Sequence, residues 1–481
     1  MENELKGKAI SSLLWRFLER CGAQGVTFLV TIVLARLLAP EVYGLMALVT
    51  VFTAILQVFV DSGMGNALIQ KKDADDLDFS SVFFFNLVMC IALYLVLFFC
   101  APLIAAFYHN PELTLVIRVL GITLLIAGVK NVQQAYVSRK LQFKRFFFAT
   151  LGGTIGAAVI GIAMAYMGFG IWALVAQSLF NTMLDTVILW LTVRWRPKMM
   201  FSFARLKVLL RYGWKLLISA LLHTFYTNLR TLIIGRLYTP TDLAYYEKGQ
   251  SFPTLIVSNI NASIDSVLLP TMSGVQDSRE TVNAITRRAI MISSYLMWPM
   301  MVVLAVVAKP LVVLLLTEKW LAAVPFLQIT CFALGLEPLQ TANLNAIKAM
   351  GRSDIFLKME IVKKTISIAI LLLSMRFGVV AIAVSGLAYS LIATMLNAAP
   401  NRKLLGYSYF EQVKDILPSF TLAILMGAVV YHIALIPMPM ILLLLAQVMT
   451  GVVFYVGVSA ILKLEPFYYI LNTIRQLKRK G

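Results

Sequence analysis

The chain has 481 residues and a formal net charge of +19; 60% of its residues are hydrophobic, only 14% are charged, and the mean hydropathy is +0.84. Soluble globular proteins carry about 25% charged residues, so these values exclude a soluble protein and indicate an integral membrane protein. Lys and Arg collect in the cytoplasmic loops of membrane proteins, so the positive charge gives no reason to expect a nucleic acid partner.

Fourteen apolar segments follow one another along the chain, and each is long enough to cross a bilayer, which takes about 20 residues. They are predicted at 11–37, 42–60, 80–101, 113–134, 147–167, 170–193, 212–237, 251–273, 289–316, 322–346, 357–376, 378–400, 416–436 and 439–463. The runs are continuous and lack the alternation of barrel strands, so the spans are predicted to be helices. Because fourteen is an even number, both termini lie on the same side of the membrane.

The basic residues are distributed unevenly between the two sides of this arrangement. If the N-terminus is cytoplasmic, the outer ends and loops hold only Arg36, Arg118, Arg230, Arg236, Lys248, Lys309, Lys319 and Arg376 of the 42 Lys and Arg residues. Basic segments such as 137–145, 194–211 and the C-terminal tail then lie inside, as the positive-inside rule requires. Segment 70–81 (QKKDADDLDFSS) is interpreted as a solvated cytoplasmic hairpin. The outer loop at 237–250 is too short for a compact domain.

Two parts of the chain resemble each other. "ARLLAPEVYG" at 35–44 matches "GRLYTPTDLAYY" at 235–246, and upstream of them Trp15–Arg16 aligns with Trp214–Lys215. Six spans separate the copies, so both have the same orientation, which predicts a parallel internal repeat. We therefore predict an N-lobe of six helices at 1–200, a C-lobe of six helices at 201–405, and two extra helices with a basic cytoplasmic tail at 406–481.

Polar side chains recur at helical spacing within several spans, and residues three or four positions apart share one face of a helix. The predicted substrate-binding residues on these faces are Arg16, Arg20, Gln24, Thr27, Lys215, His223, Tyr226, Arg230, Asn345 and Lys348. The predicted coupling or charge partners are Glu19, Asp61, Asp265 and Glu337. Intramembrane charges tend to face a bundle interior or a water-filled cavity, so we expect a cationic central cavity between the lobes.

Simpler interpretations of these residues stay open. Arg16 and Arg20 lie near the cytoplasmic end of span 1, where long basic side chains can reach lipid phosphates. His223 could be an ordinary interior histidine, and Asp265 and Glu337 could be neutral or structural partners of basic residues. No metal-ligand spacing, phosphate loop or hydrolase motif is found, so the sequence predicts no metal, no cofactor and no catalytic residue.

The segment "ARLLAPEVYGLMALVTVF…FVDSGMGNALIQKKD" resembles Wzx-type lipid-linked oligosaccharide flippases. These belong to the multidrug/oligosaccharidyl-lipid/polysaccharide exporter superfamily. "SRKLQFKRFFF" (138–148), "LYTPTDLAYYEKGQSFP" (237–253) and "NAIKAMGRSDIFLK" (345–358) extend the likeness, which is closest to exporters of the colanic-acid or teichuronic-acid type. The resemblance implies two six-helix lobes around a cavity that opens alternately to each side. It also implies export of undecaprenyl-pyrophosphate-linked oligosaccharides across a bacterial inner membrane.

Other partners and functions are weighed beside this one. Membrane lipids are expected partners, H+ or Na+ is a candidate coupling ion, and polysaccharide polymerase machinery is a candidate partner. The first alternative is a cation-coupled multidrug exporter of the same superfamily, which needs acidic residues to attract cationic drugs. The second is a membrane-embedded polymerase or ligase, which would need a sizeable outer loop. A non-transporting assembly scaffold is the third.

Overall fold

The computed structural model describes residues 2–61, 64–71, 73–140 and 142–480, without the side chains of residues 2–14, 16, 17, 20, 66, 212 and 477–480. The helices up to the middle of the chain are α1 (Glu2–Leu37), α2 (Pro40–Asp61), α3 (Met64–Gln70), α4 (Asp76–Phe107), α5 (Glu112–Leu120), α6 (Ile122–Arg139), α7 (Phe143–Tyr166), α8 (Ile171–Thr192) and α9 (Phe203–Leu237). No strand occurs in the described ranges.

The remaining helices are α10 (Pro240–Ser273), α11 (Arg279–Val306), α12 (Ala308–Leu316), a 3₁₀ helix (Glu318–Ala323), α13 (Val324–Leu334), α14 (Glu337–Ala349), α15 (Ser353–Ser374), α16 (Val379–Leu404), α17 (Tyr409–Ile433), α18 (Met440–Ile461) and α19 (Glu465–Lys480). Each of the fourteen predicted spans falls on one or more of these helices. The protein is therefore an all-α integral membrane protein, as predicted.

Among the described residues, twelve helical stretches are long and apolar enough to cross a membrane. The first and eleventh predicted spans are not among them. In α1 the apolar part is restricted to Cys21–Leu37. In α15 the predicted span includes Lys358, Glu360, Lys363 and Lys364, and this charge lowers its hydropathy. Both segments are helices of the expected position, but their polarity sets them apart from the other twelve.

The chain forms two compact units, Met1–Ala244 and Tyr245–Gly481. In the first unit, the C-terminal half of α9 packs closely on α2. A Cβ added to Gly235 would lie 2.1 Å from Cδ2 of Leu48, and a Cβ added to Gly44 would lie 1.7 Å from the carbonyl oxygen of Pro240. The contact therefore requires glycine at both positions. The lobe boundaries predicted at residues 200 and 405 remain predictions.

The acidic segment at 70–81 differs from the expected solvated hairpin. Asp75 caps α4, because its carboxylate accepts a hydrogen bond from the backbone N–H of Asp78. That N–H and the Arg205 guanidinium lower the pKa of Asp75. Asp78 is fully buried, and its carboxylate lies 2.6 Å from Nζ of Lys71. Carboxylates at a helix N-terminus compensate the helix dipole, so these aspartates stabilise the start of α4.

The segment that connects α8 to α9 lies on the same end of α4. The backbone N–H groups of Lys198 and Ser202 donate to the hydroxyls of Ser80 and Ser81, at 3.1 and 2.9 Å. Both serines are fully buried. Nζ of Lys198 also lies 2.5 Å from a carboxylate oxygen of Asp76. The connection is therefore held to the first unit by backbone and side-chain contacts.

In the second unit, a buried network of amide and hydroxyl side chains joins α14, α16 and α17. It consists of two hydrogen-bonded groups, one of Gln340, Ser390 and Asn397 and one of Asn343, Asn401 and Gln412. At its centre, Asn343 Nδ2 donates to Gln412 Oε1 at 2.8 Å, and Asn401 Nδ2 donates to Asn343 Oδ1 at 2.6 Å. Hydrogen bonds between membrane helices contribute about 0.6–2 kcal/mol each, so the network fixes α17 against the preceding helices.

Candidate substrate-binding site

The polar face of α9 runs along the first unit. Ser202 caps the helix at its N-terminus, where its hydroxyl accepts from the backbone N–H of Arg205. Lys215 and His223 are exposed along the first two thirds of α9. Tyr226 and Arg230 follow at helical spacing and are partly buried. These polar residues thus form a row along α9 that runs from exposed positions to partly buried ones.

Arg230 has an unusual environment. Its Nε and Nη2 atoms are buried, and neither has a hydrogen-bond partner among the described residues. A buried donor that lacks a partner costs free energy, and the cost is larger for a charged group. The guanidinium therefore has donors available for an anionic group, and its planar shape suits the oxygens of a phosphate. Arg236, six residues later, lies instead over the ring of Phe107 at 4.8 Å.

The polar face of α1 is described only in part. The side chains of Arg16 and Arg20 lie outside the described residues, so their predicted contacts are not placed. Gln24 and Thr27 are exposed. Glu19 faces α7, where its carboxylate accepts a hydrogen bond from the Thr150 hydroxyl at 3.3 Å. Glu19 thus links α1 to α7.

Asp61, at the end of α2, is held by amide donors. Its Oδ1 accepts from Gln57 Nε2 at 3.0 Å and from Asn131 Nδ2 at 3.3 Å. A neighbouring ion pair joins Lys130 on α6 to Asp185 on α8 at 3.0 Å, and both side chains are largely buried. Sequence reasoning missed this pair. The available signal was a charged residue in the middle of each of two apolar spans, which is rare unless the charge has a partner.

In the second unit, four polar side chains form two contacts between α10 and α14. Asn345 Nδ2 donates to Asp265 Oδ1 at 2.8 Å, and Asn261 Nδ2 donates to Glu337 Oε2 at 3.3 Å. Asn345 is fully buried. Each helix therefore supplies one amide and one carboxylate, so the two contacts run in opposite directions.

These contacts border a pocket of about 300 Å³. It is lined by Asn261, Ala262, Asp265, Thr341, Leu344 and Lys348. Nζ of Lys348 lies over the ring of Phe356 at 5.0 Å. The structure thus brings together Asn345 and Lys348, predicted to bind substrate, with Asp265 and Glu337, predicted as coupling or charge partners.

The opposite face of α10 borders a second, apolar groove of about 570 Å³. Its lining includes Asn259, Ile260, Ile264, Ile292 and Leu296. Asn259 does not contribute to the polar pocket, since its Nδ2 donates to the carbonyl of Leu255 at 2.8 Å. The two faces of α10 therefore border surroundings of different polarity.

The two units contain a similar contact at corresponding places. In the first unit, Asp61 on α2 accepts from Asn131 on α6; in the second, Asp265 on α10 accepts from Asn345 on α14. The first two helices contain spans 2 and 4 of the chain, and the other two contain spans 8 and 10. These are the second and fourth spans of each predicted copy. A parallel repeat places corresponding helices in equivalent positions, so the similarity supports the repeat.

The described side chains include no group of three or more His, Cys, Asp or Glu residues that could hold a metal ion. The residues of the candidate site are cations, amides, hydroxyls and carboxylates. Such groups bind phosphates and sugar hydroxyls by hydrogen bonds and charge.

Together, the helices and these polar sites define a multi-pass α-helical membrane protein with internal binding groups. Residues 33–325 match the family described as polysaccharide biosynthesis protein. The match covers more than half of the sequence, so the chain belongs to this family.

Two relatives agree with that assignment, and a solved structure shows the same fold. The chain is 24% identical to the succinoglycan biosynthesis transport protein ExoT of Rhizobium meliloti (strain 1021), over 71% of this chain and 69% of ExoT. It is 23% identical to the lipopolysaccharide biosynthesis protein WzxC of Escherichia coli (strain K12), over 86% and 83% of the two chains. The lipid II flippase MurJ, in an inward closed conformation, has the same fold, with a TM-score of 0.76 over 94% of this chain and 98% of MurJ at 14% identity.

Proposed function

We propose that this protein is a flippase for cell-surface polysaccharide biosynthesis. It moves undecaprenyl-pyrophosphate-linked oligosaccharide repeat units from the cytoplasmic to the outer leaflet of the bacterial inner membrane. Family membership supports this proposal, as does the similarity to ExoT, a succinoglycan biosynthesis transport protein, and to WzxC, a lipopolysaccharide biosynthesis protein. The observation on this chain that carries it is the buried Arg230 guanidinium, whose Nε and Nη2 have no hydrogen-bond partner among the described residues.

The physical problem explains why such a protein needs polar groups within its spans. A sugar–pyrophosphate headgroup would lose its hydration in hydrocarbon, which is prohibitively costly for charges and hydroxyls. Arg230 offers a planar pair of donors to one phosphate, and the exposed Lys215 offers a point charge nearer the inner end of the same helix. The prenyl tail stays in lipid. During transport the protein therefore has to replace the water around the headgroup but not around the tail.

The proposed headgroup path uses the remaining predicted residues. Arg16, Arg20, Gln24 and Thr27 line it from α1, and His223 and Tyr226 line it from α9. Lobes at 1–200 and 201–405 open it alternately to the two sides of the membrane. Both termini are cytoplasmic. The energy comes from an H+ or Na+ gradient or from consumption of the product by polymerase machinery, and the protein itself acts as a transporter rather than an enzyme.

One observation favours a second candidate function. Asp265 and Glu337 place two carboxylates beside the pocket of the second unit, and carboxylates attract organic cations. A cation-coupled multidrug exporter would use such groups. The two functions predict different consequences of losing the protein, so they can be separated in one strain.

The test is deletion of the gene in its native host, followed by analysis of lipid-linked intermediates and of drug tolerance. Accumulation of undecaprenyl-linked oligosaccharide on the cytoplasmic leaflet, with unchanged drug tolerance, is the result we expect. Re-expression of the wild-type chain should remove the accumulation. Unchanged lipid intermediates together with lower tolerance of cationic drugs would favour the multidrug exporter and contradict the flippase.

A further inference from the structure

We propose that α19 is a membrane-surface helix that binds anionic phospholipids, such as phosphatidylglycerol, in the cytoplasmic leaflet. The inference goes beyond the proposed function and takes from it only the cytoplasmic position of the segment after α18. Three features of the second unit carry it: the place where α19 begins, the composition of one face of its second half, and the excess of basic residues in 462–481.

Helix α19 begins directly after the last membrane span. The span α18 ends at Ile461 and α19 begins at Glu465, so only a short turn connects them. The Tyr468 hydroxyl donates to the carbonyl of Ala460, on α18, at 3.3 Å. The 16 residues of α19 are fewer than the roughly 20 apolar residues of a span, and five of them are charged. Helix α19 therefore starts at the membrane surface and does not cross the bilayer.

The first half of α19 packs on the rest of the second unit. Phe467 and Ile470 lie against its hydrophobic core. The Arg288 guanidinium of α11 lies over the ring of Tyr469 at 4.8 Å. Residues 472–476, in the second half, are all exposed. The packing thus holds the start of α19 and leaves its second half accessible to a partner.

One face of the second half combines apolar and basic residues. Leu471, Ile474, Arg475 and Lys478 are spaced so that they lie on one side of the helix, whereas Gln476 lies on the other. Ile474 is 47% exposed, and Arg475 beside it is exposed as well. In amphipathic surface helices, apolar side chains insert among acyl chains while neighbouring Lys and Arg side chains extend to the phosphates. This face has that composition.

The charge of the segment favours anionic lipids over zwitterionic ones. Residues 462–481 contain five basic residues and one acidic residue, Glu465. Four of the basic residues are concentrated in 475–480. A basic residue close to an anionic membrane surface strengthens binding by about fivefold. An anionic phospholipid supplies both the negative headgroup for these residues and the acyl region for Leu471 and Ile474, so one partner suits the whole face.

The experiment measures the depth of α19 in vesicles that contain the full chain. In a background without native cysteines, Ile474→Cys and Gln476→Cys are each labelled with a nitroxide, which places labels on the two sides of the helix. Collisions with oxygen report a label among acyl chains, and collisions with a water-soluble nickel chelate report a label in water. In vesicles with phosphatidylglycerol, we expect the label at position 474 to favour oxygen and the label at position 476 to favour nickel.

Charge variants test the preference for anionic lipid. Arg475→Gln with Lys478→Gln should lower the ratio of immersed to water-exposed label at position 474 by roughly tenfold or more, because two basic residues are lost. Vesicles of phosphatidylcholine alone should lower this ratio similarly without any variant. Salt at about 1 M should also lower it, since the Debye length then falls to about 3 Å. The matched control Arg402→Gln with Lys403→Gln removes two exposed basic residues at the end of α16 and should leave the ratio unchanged.

Three outcomes would overturn the inference. Equal access of the nickel chelate to positions 474 and 476 would show that the mixed face lies in water. Shielding of position 474 from both oxygen and nickel would show that a protein surface covers it. An unchanged ratio in phosphatidylcholine vesicles would show that α19 does not distinguish anionic lipids.

The flippase is tested separately, because these vesicles contain none of the transported lipid. If deletion of the gene leaves lipid-linked intermediates unchanged while position 474 stays immersed in anionic vesicles, the flippase is wrong and the surface helix stands. If deletion causes accumulation but position 474 lies in water, the flippase stands and the surface helix is wrong. Reaction of Lys478→Cys with an impermeant reagent in intact cells would overturn the cytoplasmic position of α19.

Discussion

Asn345 on α14 donates a 2.8 Å hydrogen bond to Asp265 on α10, while Asn343, two residues earlier on the same helix, donates to Gln412 on α17. Residues two positions apart on a helix point in nearly opposite directions. Helix α14 therefore presents one amide to the candidate pocket and another to the buried network, and both amides are fully buried. A movement of α10 relative to α14 would break the contact between Asn345 and Asp265. A movement of α10 and α14 together would have to move α17 as well or break the contact between Asn343 and Gln412.

The first prediction separates function from stability at Arg230. Replacement by Ala should lower export by roughly ten- to hundredfold, because a charge-assisted contact with the pyrophosphate is lost. Replacement by Met should also abolish export yet leave thermal stability unchanged or raised, because it removes a buried donor group that lacks a partner.

The measurements for Arg230 are polymer export in a deletion strain, normalised to the amount of protein in the membrane, and thermal unfolding in detergent. Arg236→Met is a matched control on the same helix, since that guanidinium already lies over Phe107. A large loss of stability in Arg230→Met, with export in proportion to the remaining protein, would mean that Arg230 is structural.

The second prediction concerns the arginines of α1. If Arg16 and Arg20 bind a pyrophosphate, Lys at either position should reduce export, because an ammonium group lacks the planar fork. If they only reach lipid phosphates, Lys should be tolerated. Glu19→Gln should reduce export less than Arg16→Ala or Arg20→Ala. Full export by both Lys variants would show that these arginines contact lipid phosphates and do not bind the substrate.

The third prediction tests the ion pair of Lys130 and Asp185. Replacing Lys130 alone by Met leaves a largely buried carboxylate without its partner, so the free energy of unfolding should fall by about 1–3 kcal/mol. The double variant Lys130→Met with Asp185→Leu should recover most of the loss. Thermal unfolding of the four proteins forms a double-mutant cycle. A coupling energy near zero would show that the pair does not stabilise the first unit.

The fourth prediction is topological. In a background without native cysteines, His109→Cys and Met438→Cys should react with an impermeant thiol reagent added to whole cells. Lys140→Cys, Met200→Cys and Lys478→Cys should react only after the cells are opened. Reaction of Met200→Cys in intact cells would reverse the predicted orientation of the segment between α8 and α9.

Sequence periodicity predicted the spans because each apolar run had to be a helix of bilayer length. It also predicted which polar residues share a helix face, since that depends on spacing alone, and Asp265, Asn345 and Lys348 were identified in this way. The partner of each polar residue was harder to predict. Asn131 and the pair of Lys130 and Asp185 depend on which helices are neighbours, and a single sequence does not specify that.

The acidic segment at 70–81 illustrates the same difficulty. Charge alone suggested solvated chain, but Asp75 is a helix cap and Asp78 is fully buried beside Lys71. A capping pattern was present in the sequence, with aspartates at the start of an apolar run. Its recognition required the start of α4 to be placed at Asp76, four residues before the predicted span.

The connection between α8 and α9 has a consequence for insertions and deletions. It bends at Met199, where the backbone N–H of Met200 donates to the carbonyl of Lys198 at 2.7 Å. Lys198 and Ser202 turn their backbone donors towards Ser80 and Ser81, whereas Met199, between them, is 92% exposed. Adding or removing one residue between Lys198 and Ser202 would change the spacing of these two backbone donors, so they could not both keep their hydrogen bonds to Ser80 and Ser81 in the same conformation. The length of this connection is therefore restricted by more than the distance it spans.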